Sequence, residues 1–213
     1  MRRLTRWQLL IHAAALMPLA WLLFDAAAGN FSVNPIQDIQ QRTGKYALIL
    51  LVASLWCTPV HILTGWARVL RWRRPLGLYA FGYAALHFLN FIWLDYAFNL
   101  RFLWADVAGK RFIFVGLAAL LLLIPLAITS TSGWQKRLGK AWRKLHRWVY
   151  LAGGLVIAHY VWAVKADIRE PLLWGAAIGI ALLIRLPAVR AAIIRRRGQA
   201  RANRSPSTRA ERA

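Results

Sequence analysis

The chain alternates between long apolar stretches and short polar segments. Each apolar stretch holds about 20 residues, which is the length that an α-helix needs to cross the hydrocarbon core of a membrane. The pattern therefore predicts an all-α integral membrane bundle of six transmembrane helices. The six stretches are residues 9–28, 45–65, 75–95, 111–130, 146–165 and 170–190.

Composition strengthens this interpretation. The chain is 59% hydrophobic and has a mean hydropathy of +0.43, which is too apolar for a soluble domain that must present a wetted surface. Its 12 tryptophans fit the aromatic belts found at membrane interfaces. The single cysteine, Cys57, cannot form an internal disulfide, a four-cysteine iron–sulfur site or a CxxCH haem attachment.

The positive charges divide unequally between the two sides of the bundle. The net charge of +22 suggests nucleic acid at first, but the basic residues lie in clusters between apolar runs, so no nucleic-acid partner is expected. Of the 29 lysines and arginines, 22 fall in the N-terminus, the second and fourth connections and the C-terminal region. The positive-inside rule then places both termini in the cytoplasm.

A single domain accounts for most of the chain. Residues 1–192 form the predicted six-helix domain, and residues 193–213 form a basic tail that we expect to be disordered and cytoplasmic. The tail either lies against anionic lipid headgroups or only retains the C-terminus by its charge. It is too short for a nucleotide-binding domain, so a separate electron donor is expected. The first stretch resembles a signal peptide, although its apolar run is long enough to span.

Two histidines lie at matching depths in different predicted helices. His87 follows Pro75 by twelve residues, and His159 follows Arg147 by twelve residues. At 1.5 Å per residue, both lie about 18 Å from the cytoplasmic edge. Ionisable side chains this deep in a membrane usually mark a functional site. Two imidazoles at one level can bind a haem iron from its two faces, so His87 and His159 are the predicted axial ligands.

Three further histidines lie nearer the cytoplasmic boundary. His146 is a candidate ligand of a second haem, together with His61 on the second helix; spacing alone does not establish this pair. His12 and His61 are alternatively polar anchors at the membrane interface. The sequence holds no HExxH, GxSxG, Walker A or Rossmann glycine motif, so no catalytic residue is predicted.

Several stretches of the chain resemble one known family. In their order and spacing they are similar to the haem-binding membrane subunits (MsrQ type) of bacterial protein-methionine-sulfoxide reductase systems, within the ferric-reductase-like transmembrane family. The resemblance covers nearly all of the chain up to the tail. It is carried by NPIQDIQQRTGKYAL (34–48), LGLYAFGYAALHFLNF (76–91), TSTSGWQKRLGKAWRKLHRWVYL (129–151) and IAHYVWAVKAD (157–167).

This resemblance implies a function, cofactors and partners. It implies non-covalent b-type haem, one or two per chain, and FMN as a second cofactor. It also implies a place in the bacterial inner membrane and a periplasmic molybdopterin-containing reductase subunit as the electron acceptor. His87, His146 and His159 match the family's functional histidines, whereas the position of His61 has no ligand role there.

These expectations combine into an electron conduit rather than a catalytic subunit. A cytoplasmic flavin reductase or a membrane quinol is the expected donor. The alternatives are a stand-alone quinol-linked or ferric-reducing cytochrome b and a cofactor-free transport or assembly factor. The basic, aromatic connection around Lys140, Trp142, Arg143 and Lys144 is either a site for the FMN phosphate or a lipid-facing collar.

Overall fold

A computed structural model describes residues 6–164 and 166–203, and every element in these ranges is helical. Short 3₁₀ and π segments, Ala67–Arg71 and Phe91–Asp95, flank the third α-helix. The α-helices are α1 Arg6–Ala28, α2 Pro35–Thr64, α3 Arg73–Asn90, α4 Leu100–Val107, α5 Arg111–Ile128, α6 Ser132–Leu138, α7 Lys140–Leu145, α8 Trp148–Ala163, α9 Arg169–Leu183 and α10 Pro187–Asn203.

Local sequence signals set both ends of α2, the longest helix described. The side chain of Asn34 accepts a hydrogen bond from the backbone N–H of Gln37 at 3.1 Å, and Pro35 occupies the first turn, where its missing N–H costs nothing. At the other end Gly65 adopts a left-handed conformation (φ 77°) and donates its N–H to the carbonyl of His61. These caps fix how far α2 extends and therefore which of its residues face the neighbouring helices.

The core lies between α2, α3, α5, α8 and α9. Ala80 on α3 and Ala152 on α8 are almost completely buried, and their small side chains let these helices approach closely. The indole N–H of Trp56 donates to the carbonyl of Ala177 at 3.0 Å and links α2 to α9. The buried cluster consists of Leu48, Leu51, Val52, Leu55, Ala80, Leu123, Leu126, Ala152 and Ile178.

Helix α1 packs on the outside of this core and keeps an apolar outer face. Tyr83 of α3 donates its hydroxyl to the carbonyl of Ala15 at 2.8 Å, and Asp25 forms an ion pair with Arg42 of α2. The outer face of this apolar helix is exposed; Met17, for example, is 66% exposed. Apolar side chains exposed along a helix of this length are typical of a lipid-facing surface.

The described helices support a multi-pass membrane protein. Four segments are long and apolar enough to cross a membrane: α1, α2, the stretch 67–95 and α5. Helices α9 and α10 meet at a bend of 73° and make a fifth if the pair counts as one span. The predicted stretch 146–165 forms α8, whose 16 residues rise only about 24 Å. The helix begins at Trp148, two residues after the start of the predicted stretch, because the chain turns at residues 146 and 147.

The C-terminal region differs from the sequence prediction. Residues 193–203 continue α10 as a helix, where the sequence predicted the start of a disordered tail. This segment contains alanine, arginine and glutamine, which favour helix despite their lack of a core-facing pattern, and Arg197 donates to the carbonyl of Ile62 at 2.8 Å. The rest of the predicted tail, 204–213, lies outside the described residues.

Candidate functional site

His87 and His159 meet at one end of the bundle. Their rings come from α3 and α8, and the two ring centroids lie 6.1 Å apart with an interplanar angle of 88°. The structure therefore brings together the two histidines that residue counting placed at one level. We call this pair the paired-histidine site.

A backbone carbonyl fixes the tautomer of each ring. Nδ1 of His87 lies 2.9 Å from the carbonyl oxygen of Gln40, and Nδ1 of His159 lies 2.7 Å from the carbonyl oxygen of Phe112. A carbonyl oxygen can only accept, so each Nδ1 carries the hydrogen and donates it. In a neutral imidazole the lone pair then resides on Nε2, which is the arrangement that metal-binding histidines use.

Polar side chains from α2 and α3 complete the surroundings of His87. The side-chain amide nitrogen of Gln40 lies 3.3 Å from Nε2 of His87 and donates to it. Asn90 in turn donates to the side-chain oxygen of Gln40, which fixes the orientation of the amide. Nε2 of His87 therefore acts as an acceptor in this structure, which is the state that a metal ligand requires.

The separation of the two rings fits an iron-bound pair. With about 2 Å from the metal to each imidazole nitrogen and about 1 Å from that nitrogen to the ring centre, two imidazoles that shared one iron would have their centroids about 6 Å apart. The observed 6.1 Å agrees. The ring of Phe112 lies 5.9 Å from that of His159 and adds apolar surface beside the site. The residues present thus suit a haem held by two histidines.

His146 lies at the opposite end of the bundle and has a different chemical environment. It occupies the turn between α7 and α8 and stacks on Trp142, with ring centroids 4.0 Å apart and an angle of 28°. The hydroxyl of Thr129 donates to the carbonyl of Pro125 at 2.6 Å. The same oxygen lies 3.1 Å from Nε2 of His146 and must accept from it, because its only hydrogen is already used. His146 therefore carries its hydrogen on Nε2.

A cavity of about 280 Å³ adjoins His146, and we call it the inner cavity. Arg73, Arg74 and Trp142 contribute to its wall, together with His146. Two guanidinium groups can bind a phosphate or carboxylate, and the indole offers a flat surface for an aromatic ring. The remaining lining residues are Leu51, Ser54, Leu70, Gly77, Leu78, Phe81, Leu123, Leu126, Ala127, Ser130, Gln135 and Val149.

Neither His61 nor His12 joins these two sites. His61 does not line the inner cavity; its carbonyl accepts hydrogen bonds from Gly65 and Arg197, and its Nδ1 is buried without a hydrogen-bond partner among the described residues. The pairing of His61 with His146 at a second haem therefore stays a prediction. His12 has its Nδ1 2.9 Å from the hydroxyl of Tyr79, which is an anchoring contact between α1 and α3.

Several residues of the site are missing from the sequence-based prediction. Gln40, Phe112 and Asn90 contribute through backbone or amide groups, which no residue-type pattern singles out. Arg73 and Arg74 entered the prediction only as positive charges that set orientation. Within the basic connection, Trp142 lines the inner cavity. Its neighbours Lys140, Arg143 and Lys144 are exposed and do not line it.

Comparison with known proteins places the chain in a family. A model of the ferric reductase like transmembrane component matches residues 11–157, which together with the helical fold defines a multi-pass membrane protein of the ferric-reductase-like class. No solved structure matches the chain.

Named relatives narrow the class. The protein-methionine-sulfoxide reductase heme-binding subunit MsrQ of Rhodospirillum rubrum is 47% identical over 182 residues, covering 84% of this chain and 88% of the relative. The MsrQ of Xanthomonas axonopodis pv. citri is 43% identical (81% and 82% covered), and that of Caulobacter vibrioides is 43% identical (82% and 83%). The chain belongs to the MsrQ family, as the sequence resemblance predicted.

Proposed function

We propose that this protein is the membrane electron-transfer subunit of a methionine sulfoxide reductase system. Electrons pass from the cytoplasmic side or the quinone pool through b-type haem, with FMN as a second cofactor, to a periplasmic molybdopterin-containing reductase that repairs oxidised envelope proteins. The observation that carries the proposal is the paired-histidine site, with its two rings 6.1 Å apart. The names of the relatives, which include the words heme-binding and methionine-sulfoxide reductase, support it.

The paired-histidine site would hold the haem through Nε2 of His87 and Nε2 of His159. A haem bound there supplies one-electron redox chemistry at a potential set by its ligands and surroundings. The carbonyls of Gln40 and Phe112 keep the Nδ1 hydrogens in place. This fixes the ring orientations and makes both imidazoles better electron donors. The Gln40 amide would leave Nε2 of His87 and remain within reach of Asn90.

We assign the FMN to the inner cavity. Arg73 and Arg74 would bind its phosphate by charge-assisted hydrogen bonds, and Trp142 offers a surface for its ring system. A second haem with His146 as its ligand is the competing occupant. The Nε2–H of His146 is directed to Thr129, which opposes ligation through that nitrogen and favours FMN. The haem count, one or two per chain, follows from which group occupies this cavity.

Orientation and partners follow from the charge distribution. Both termini and the inner cavity would face the cytoplasm of a bacterium, and the chain would cross the inner membrane six times, with α8 as the short span. The donor would be a cytoplasmic flavin reductase or a quinol. The acceptor would dock at the opposite end, near the paired-histidine site, where the connections carry most of the acidic residues. The proposed orientation, with both termini in the cytoplasm, follows from the positive-inside rule.

A visible spectrum and cofactor analysis of the purified protein test the proposal. We expect a Soret band, reduced α and β bands, and released flavin that is identified as FMN. A colourless preparation from haem-replete cells would reject the electron-transfer function in favour of a transport or assembly role. Reduction of the purified periplasmic reductase by dithionite-reduced protein separates the proposed subunit from a stand-alone cytochrome b, for which no such transfer is expected.

A further inference from the structure

The surroundings of His87 and His159 repeat along the chain. The carbonyl that accepts the Nδ1–H of His87 lies 47 positions before it, and the carbonyl that accepts the Nδ1–H of His159 also lies 47 positions before it. Adding 72 to the residue numbers around His87 gives the equivalent residue numbers around His159. Three features coincide under this shift: the carbonyl at 40 and 112, a glycine at 44 and 116, and the histidine at 87 and 159.

The shift also relates positions in the core. Leu51 and Leu123 are both buried in the cluster between the helices, as are Ala80 and Ala152. The α2–α3 pair and the α5–α8 pair thus form two copies of one arrangement, each contributing one imidazole. Few of the equivalent residues are identical, so the repeat is evident from the packing of the helices rather than from the sequence.

Each glycine of the repeat lies directly against its imidazole. A Cβ added at Gly44 would lie 3.0 Å from both Cε1 and Nδ1 of His87. A Cβ added at Gly116 would lie 2.6 Å from Nδ1 and 2.8 Å from Cε1 of His159. The contacts at Gly116 are too short for a ring that stays in place, so a larger residue there must displace the imidazole. Those at Gly44 are tight enough that the ring must give way by a few tenths of an ångström.

Helix geometry explains why the glycine follows the carbonyl by four residues. In an α-helix the carbonyl of one residue accepts the N–H of the residue four positions later. That later residue therefore lies next to the carbonyl oxygen, and its side chain can obstruct a donor arriving from a neighbouring helix. Gly44 and Gly116 leave this approach open for the Nδ1–H of the imidazole.

We infer that Gly44 and Gly116 are positioning residues, each of which lets one imidazole reach its backbone carbonyl and thereby directs Nε2 towards the iron. The inference rests on the proposed haem function. It deepens that function by assigning the ligand orientation to backbone contacts on α2 and α5. Substitution acts through the histidine, because neither glycine has a side chain to offer the cofactor.

The test compares four glycine-to-alanine variants of the full-length, haem-loaded protein. Gly44→Ala and Gly116→Ala place a methyl group against the imidazoles. Gly82→Ala and Gly154→Ala are matched controls, since these glycines lie on the histidine-bearing helices, are also 72 positions apart, and have open space where a Cβ would lie. All four changes alter helix propensity alike.

The expected result is specific to the iron. Gly116→Ala, and to a smaller extent Gly44→Ala, should weaken haem retention about 10-fold or more, as the loss of a hydrogen bond to a ligand typically does. The haem that remains should show a more positive midpoint potential and partial loss of the low-spin signature, because a displaced imidazole donates less to iron. The controls should match wild type in both, and all folded variants should share one thermal unfolding midpoint within a few degrees.

Two outcomes overturn the inference. One is that Gly44→Ala and Gly116→Ala match their controls in potential and spin state; the other is that the controls shift equally. If Gly116→Ala does not fold, Gly44→Ala decides alone, because its contacts are less severe. A wild-type protein without haem would instead contradict the proposed function, so the two failures remain distinguishable.

Discussion

The two ends of the bundle place histidines in opposite chemical states. At the paired-histidine site each Nδ1 donates to a helix carbonyl and Nε2 carries the lone pair. At the inner cavity Nε2 of His146 faces the hydroxyl of Thr129, and the ring stacks on Trp142. The same side chain thus has a free Nε2 lone pair at one end and acts as a hydrogen-bond donor beside a basic cavity at the other.

This difference indicates that the hydrogen-bond partner, in addition to depth in the membrane, determines which imidazole nitrogen is free to bind a metal. A carbonyl accepts from Nδ1 and leaves Nε2 for iron. A threonine hydroxyl whose hydrogen is already used takes the proton-bearing Nε2 instead. The two ends are therefore expected to respond differently to substitution.

Removal of an imidazole at the paired-histidine site should change the protein most. His159→Ala and His87→Ala should each abolish the six-coordinate low-spin haem signal, because one axial ligand is lost. Absorption and electron paramagnetic resonance spectra measure this loss. His12→Ala serves as the control and should retain the signal. Retention of full low-spin haem in either of the first two variants would show that the pair is misassigned.

The second-largest effect is expected at the inner cavity, where loss of the two arginines should remove the flavin without affecting the haem. Replacing Arg73 and Arg74 together by alanine should weaken flavin binding about 100-fold or more, since hydrogen bonds to charged groups contribute about 1.5–3 kcal/mol each. The haem spectrum should stay as in wild type. Flavin fluorescence after release measures occupancy, and Arg143→Ala, an exposed position outside the cavity lining, is the control. Equal flavin loss in the control would remove the assignment of FMN to this cavity.

A smaller effect is expected from His146 itself. His146→Ala should lower flavin content severalfold while the low-spin haem remains, because the stacked wall of the inner cavity loses its support. The pyridine haemochrome assay gives haem per polypeptide for this comparison. A variant that loses half of its haem would mean that His146 ligates a second haem and that the two ends are chemically alike.

The smallest effect concerns the polar group closest to Nε2 of His87. Gln40→Leu removes the amide that donates to this nitrogen but keeps the carbonyl that accepts from Nδ1. Haem should bind at least as well as in wild type, since the competing hydrogen bond is gone, and redox titration should show only a small change in potential. Asn90→Leu is the companion variant, and a strong loss of haem in Gln40→Leu would assign the amide a direct role.

Much of the fold follows from local properties of the sequence. Apolar runs of about 20 residues locate α1, α2, α3 and α5, because membrane thickness imposes their length. Counting residues from Pro75 and Arg147 places His87 and His159 at one level, since each helical residue rises by a fixed distance. The predicted fifth helix includes residues 146 and 147, but the chain turns there and the helix begins at Trp148.

The details of the site depend on contacts between helices, which the sequence pattern does not contain. Gln40 and Phe112 contribute backbone oxygens, and any residue type could supply these. Gly44 and Gly116 become informative only when the ring beside each of them is known. The positive charge of Arg73 helps to predict how the helices are oriented in the membrane. Its place in the wall of a cavity depends on how α3 packs against the connection that holds Trp142.

An experimental structure of the haem-loaded protein in lipid nanodiscs would show directly which nitrogen atoms bind the iron. We expect one iron between the rings of His87 and His159, about 2 Å from each Nε2, with each Nδ1 still within hydrogen-bond distance of the carbonyl of Gln40 or Phe112. Iron bound through Nδ1, or bound by neither ring, would show that the paired-histidine site does not hold haem in the proposed way.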